Sequence, residues 1–195
     1  TPLISDPGYT LVSQAHSAGI KVSPIPGPCA AITALSASGL PSDRFLFVGF
    51  LPARHQARCN QLTTLQNVCA TLIFYESRHR IIDSLNDITS ILGENRLAFI
   101  GRELTKQFET VRQASLGTLR DWLQQESEQQ RGEFVIVVTG ADKQAMEVNE
   151  ADNIAILQPL LAELPVKQAV RLAAKISGGA KNHLYDLAIS LKKRD

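Results

Sequence analysis

The sequence predicts an α/β fold with a mixed sheet, followed by a purely helical extension. Three observations carry this. Short apolar runs alternate with amphipathic helical stretches as far as residue 140. The link between two of those runs, near residue 105, is short, which points to a mixed rather than a purely parallel sheet. Beyond Thr139-Gly140 only helical patterns occur.

Asp6-Pro7 is a helix start, with Asp6 as N-cap and Pro7 at the first helical position. Leu11, Val12, Ala15 and Ala18 mark one face, and Gly19 is the stop. Ile20-Lys21-Val22 reads as a short strand leading into the loop Pro24-Ile25-Pro26-Gly27-Pro28. A second helix begins at about Pro28 and ends at Gly39. Phe45 to Phe50 is a strand, about Ala53 to Leu65 a polar helix, and Thr71 to Tyr75 another strand. Arg80 to Leu92 carries Ile81, Leu85, Ile88 and Leu92 on one stripe, closed by Gly93. Leu97 to Gly101 is a strand and Glu109 to Arg112 an edge strand. Ser115 caps a helix holding Leu119, Trp122 and Leu123, and Phe134 to Val138 is the most apolar strand. Residues 141–155 are polar, a linker signature, and helices follow over about 155–163, 166–176 and 181–191. The expected domains are 1–41, 42–140 and 141–195.

Composition narrows the function classes. The 195 residues are 44% hydrophobic and 20% charged, with a net charge of +1, which excludes a polycation and an acidic disordered tail. That balance is uneven, because seven basic residues against three acids from Pro159 onward make a tail of +4 and leave −3 elsewhere. No apolar run reaches the roughly 18 residues a bilayer span needs. The three cysteines form no Cys-x-x-Cys pair, which fits a reducing cytoplasm without disulfides. No two of the four histidines sit at the i, i+4 spacing of a metal helix, so no metal is expected. The start on Thr1 rather than Met, without a signal pattern, reads as a cut through a longer chain.

Several clusters carry chemistry. The loop Pro26 to Ala31 precedes a helix, and its glycine and small alanines let a ligand approach the backbone, although a plain turn has the same composition. Thr1 to Gly8 is a second such loop. Phe74 to Arg80 and Arg102 to Lys106 each end a strand in polar groups, and Glu133 precedes the strongest strand. Strand ends gather ligand chemistry in α/β domains, so the clusters are candidates to converge; solvated loop charges are the bland alternative. The helix–Ser177-Gly178-Gly179–helix segment reads as a helix-turn-helix or a packing hairpin.

Four passages, Thr1 to Gly8, Pro26 to Leu35, Gly39 to Pro52 and Leu72 to Ser77, together resemble the tetrapyrrole-methylase superfamily. Within it they are similar to the branch that methylates a cytidine 2′-hydroxyl in the decoding region of bacterial 16S ribosomal RNA. Arg102 to Lys106 and the terminal hairpin agree. The resemblance implies a two-domain α/β architecture with a helix-turn-helix-like extension, S-adenosylmethionine as cofactor, 16S rRNA in the small subunit as substrate, and a homodimer. It places Pro2, Ser5, Pro26, Gly27, Pro28, Cys29, Ala30, Ala31, Tyr75 and Glu133 along the cofactor. Family members begin with a further glycine- and proline-containing loop and strands that this sequence does not show, so a complete cofactor site is not assembled from these residues. Glu103 is then the candidate proton acceptor, with Lys106 or Arg102 steadying alkoxide or phosphate. Arg54, Arg58, Arg78, Arg80, Lys175 and Lys181 are candidate RNA contacts. Two alternatives remain, a tetrapyrrole methyltransferase and a non-catalytic nucleic-acid-binding module.

Overall fold

Five strands form one sheet in the computed structural model, which describes residues 1–192, the side chains of 143–149 excepted. They are β1 (Phe45–Phe50), β2 (Thr71–Ser77), β3 (Leu97–Arg102), β4 (Thr110–Ser115) and β5 (Glu133–Val138). The order is β1-β2-β5-β3-β4, with β1 parallel to β2 and every other neighbouring pair antiparallel. The sheet is therefore mixed, as the short link near residue 105 predicts. The most apolar strand, β5, lies in the middle, where both faces are covered.

Alternation along the strands divides the core in two. Leu72, Phe74, Ile136 and Val138 face one side, where α3 (His55–Leu65), α4 (Ile81–Leu92) and α5 (Leu116–Gln125) cover them. Ile73, Val135, Val137 and Phe99 face the other, against Ala31, Ala34 and Leu35 of α2 (Ala30–Ser38). Gly39 ends α2 at φ +66, and Ser115 caps α5 by accepting the Thr118 backbone N–H, both as the sequence predicts.

The first 29 residues depart from expectation. Helix α1 spans Tyr9–Ser17, starts after Gly8 at φ +130 and gains no side-chain cap, so Asp6 and Pro7 do not open it. Leu3 and Ser5, both at positive φ, turn the chain before that point. Ile20 to Val22 is no strand and joins none of the five in the sheet, since a strand needs a neighbour to form its ladder.

The chain divides into two compact units, Thr1–Ala141 and Asp142–Asp195. In the second, α6 (Lys143–Glu163), α7 (Val166–Ser177) and α8 (Lys181–Lys192) surround Leu157, Val170, Ala173, Leu184 and Ala188. Residues 143–155, taken from their polarity for part of a linker, are the first turns of α6. A polar composition does not prevent a helix, since Ala, Glu, Gln, Lys and Met all propagate one. Lys193, Arg194 and Asp195 of the basic tail lie outside the described residues.

Candidate active site

Antiparallel pairing brings three sequence clusters to one end of the sheet. Ser77 lies opposite Glu133, and Arg102 opposite Phe134, so the polar ends of β2 and β3 flank the start of β5. A cleft of about 300 Å³ opens there, lined among others by Ser5, Ala30, Phe50, Tyr75, Lys106 and Glu133.

Tyr75 joins the cleft to the loop before α2. Its hydroxyl accepts the Ala31 backbone N–H at 3.0 Å and lies 4.0 Å from Cys29 Sγ. Phe47 and Phe50 meet its ring edge-on, with centroids 4.9 and 5.7 Å away. Burial pushes the phenol above its ordinary range, so it stays neutral. Thr1 ties the two N-terminal loops together, its hydroxyl donating to the Pro28 carbonyl at 2.6 Å. Ser5 sits near β1, where a register shift brings Gly49 to φ +75 and a Cβ would come within 3.4 Å of Ser5 Oγ. Pro2, Pro26, Gly27 and Pro28 are exposed, and the cleft lining from this region is Ser5 and Ala30.

Lys106, in the cleft lining, bridges two carboxylates: Glu133, which also lines the cleft, and Glu103, which lines a separate groove with Arg102 and Gly132. Its Nζ donates to Glu103 Oε1 at 3.0 Å and to Glu133 Oε2 at 2.9 Å. Glu103 Oε1 also accepts the Glu133 backbone N–H at 2.8 Å, while the Glu103 N–H donates to the Glu133 carbonyl at 2.9 Å. Glu103 and Thr105 reach this arrangement in the left-handed region, at φ +49 and +64. The backbone hydrogen bond from Glu133, with Lys106, holds the Glu103 carboxyl below the ordinary carboxylate range. The same two carboxylates raise the Lys106 ammonium, Glu133 first.

Other candidates are engaged elsewhere. Arg102 is buried, and its guanidinium donates to the carbonyls of Arg131, Phe108 and Glu128 and to Thr110 and Gln129, leaving no free fork for a substrate. That corrects its assignment as a group steadying alkoxide or phosphate. Arg58 is likewise buried, bonded through Nε to Asp87 at 2.6 Å and through Nη1 to the carbonyls of Pro52 and Ala53, so it is no RNA contact. Arg80 is held by Glu76 Oε1 at 2.8 Å and by the Leu51 carbonyl. Glu76, inside the strand-end cluster, is 2% exposed and also accepts Ser84 Oγ and the Ser77 N–H. Arg102, Arg58 and Glu76 are buried and Arg80 is half-buried in its ion pair, whereas Arg54, Arg78, Lys175 and Lys181 are exposed. Sequence reasoning also missed His55 and Cys59, one helical turn apart on α3, because it compared histidines only with histidines.

The tetrapyrrole (corrin/porphyrin) methylases match residues 1–120, and the RsmI C-terminal HTH domain matches residues 147–192. Ribosomal RNA small subunit methyltransferase I of Escherichia coli O157:H7 is 51% identical over 189 residues, covering 97% of this chain and 66% of its own length. The protein of the same name from Pseudomonas aeruginosa is 52% identical over 192 residues, covering 97% of this chain and 67% of its own. The chain thus spans about two thirds of the length of these relatives.

Proposed function

The chain belongs to the tetrapyrrole methylase family, and from that premise we propose that it serves S-adenosylmethionine-dependent 2′-O-methylation of a cytidine ribose in the decoding region of 16S rRNA. One observation carries this reading: relatives sharing one name match the cleft unit and the helical unit together. A macrocycle substrate gives the helical unit no evident task. The setting we infer is the cytoplasm, with the enzyme a homodimer acting on the small subunit.

The residues present fit one flank of the cofactor. Ala30 contributes only a methyl group to the cleft, Phe50 and Leu104 supply apolar wall, and the Glu133 carboxylate favours a cation. When bound, the cofactor supplies an electrophilic methyl group on a positively charged sulfur.

The chain must hold the ribose hydroxyl in line with that methyl. A carboxylate with a depressed pKa is too weak a base to ionise an alcohol beforehand. It readily takes the proton as the O–C bond forms, because the oxygen then becomes strongly acidic. Glu103 suits this late role: Oε1 is occupied by Lys106 and the Glu133 N–H, while no described residue donates to Oε2. Lys106 fixes both carboxylates and, as an ammonium, is placed to steady a phosphate of the RNA beside the reacting ribose. Arg102 is a positioning residue, holding the carbonyls around the 103–109 loop. Arg54, Arg78, Lys175 and Lys181 supply phosphate contacts.

Methyl transfer from labelled S-adenosylmethionine to 30S subunits, naked 16S rRNA and tetrapyrroles, using the full-length protein, tests this. Transfer to 30S subunits alone is expected, slowed about 10²-fold or more by Glu103→Gln and by Lys106→Ala. Transfer to a tetrapyrrole instead, or none at all, overturns the substrate. Unchanged rates in both variants overturn the roles of Glu103 and Lys106.

A further inference from the structure

We propose that His55, Cys59 and Asp87 form a site for a zinc-class divalent metal ion that fastens α3 to α4. His55 and Cys59 lie at i and i+4 on α3, so both project from one face, and Asp87 meets them from α4. One ligand atom from each lies within 4.8 Å of the others. His55 Nδ1 is 3.6 Å from Cys59 Sγ and 3.0 Å from Asp87 Oδ2. Zinc bonds of about 2.3 Å to sulfur and about 2.0 Å to nitrogen or oxygen give tetrahedral ligand edges of about 3.3–3.6 Å. The two His55 edges lie near these values, and the Cys59 and Asp87 ligand atoms, within 4.8 Å of each other, need only draw together around the ion.

Arg58 is the obvious competitor, and its geometry instead supports the site. Its Nε takes Asp87 Oδ2 at 2.6 Å while its Nη1 is fixed by the Pro52 and Ala53 carbonyls. Asp87 Oδ2 thus faces His55 while Arg58 orients the carboxylate, as hydrogen-bonded partners of metal-ligating carboxylates do. The His55 side chain is 72% exposed, which gives an ion a route in and leaves a fourth position for water. Thiolate, imidazole and carboxylate together select zinc or cobalt over magnesium or calcium. Neither helix contributes a residue to the cleft lining, so the site is separate from the proposed methyl-transfer chemistry.

Untagged protein stripped with a chelator and titrated with Zn²⁺ and with Co²⁺ decides the matter. One equivalent is expected to bind, with a thiolate-to-cobalt charge-transfer absorption, tetrahedral cobalt bands and a rise of several degrees in Tm. Cys59→Ser removes the charge-transfer absorption and weakens binding at least tenfold. His55→Ala weakens it at least tenfold, and the double variant Cys29→Ser/Cys69→Ser leaves it intact. Circular dichroism of the stripped variants confirms that they fold. No binding at micromolar free zinc, or unchanged binding in both Cys59→Ser and His55→Ala, overturns the proposal and leaves the trio an ordinary ion-paired cluster.

Discussion

Charge alone does not tell an arginine that works from one that holds. Arg102 and Arg58 look like surface cations in the sequence, yet each is buried and bonded to fixed carbonyls or a carboxylate. Replacing Arg102 with lysine loses the planar fork and leaves carbonyls unpaired. We expect a loss of about 2–4 kcal/mol, read from the denaturant midpoint. Glu103 gives a pH signature. Its folded-state pKa is depressed, so its contribution is present above the ordinary carboxylate range and is lost as pH falls through the lower folded value. Tm measured from pH 7 to pH 3 should therefore fall less steeply in Glu103→Gln than in the parent. Coincident curves would show that Lys106 and the Glu133 amide do not hold the carboxylate.

Turns decide where those groups sit. Gly132, at φ +101, precedes β5, and a Cβ there would come within 2.5 Å of Glu103 Cγ. Gly132→Ala should both strain the turn and displace Glu103, destabilising by about 2–3 kcal/mol and lowering methyl transfer more than KM for the cofactor. Steady-state kinetics beside a denaturation curve separates the two effects. The elements themselves were legible where they were strongly patterned: the β2 and β5 runs, the α4 stripe closed by Gly93, and the Ser115 cap all stand where the sequence places them. Ile20 to Val22 failed because strand character depends on a neighbour, which local sequence does not contain. Residues 143–155 failed because polarity was taken for irregularity. Convergence of Tyr75, Glu103, Lys106 and Glu133 was legible as strand-end chemistry, but the burial that removes Arg102, Arg58 and Glu76 from solvent depends on tertiary packing.

Each of the two units owns its core. Leu184 is fully buried among α6, α7 and α8, whereas the sheet is packed by other residues altogether. Leu184→Ala should destabilise the helical unit by about 2–5 kcal/mol. Hydrogen exchange is expected to speed up across α7 and α8 while amides of β2, β3 and β5 keep their protection. Loss of protection in the sheet would show that the units unfold as one.

The order β1-β2-β5-β3-β4 also has a consequence during synthesis. The strand at the centre of the sheet is the last of the five to leave the ribosome. Until Glu133 to Val138 emerge, β1-β2 and β3-β4 exist at most as separate two-stranded ribbons, each presenting an unpaired apolar edge meant for β5. Productive folding of this unit is therefore a late zipping event with long chain separations, slow by its topology. The nascent chain passes through a window in which those two edges are open to self-association or to a chaperone.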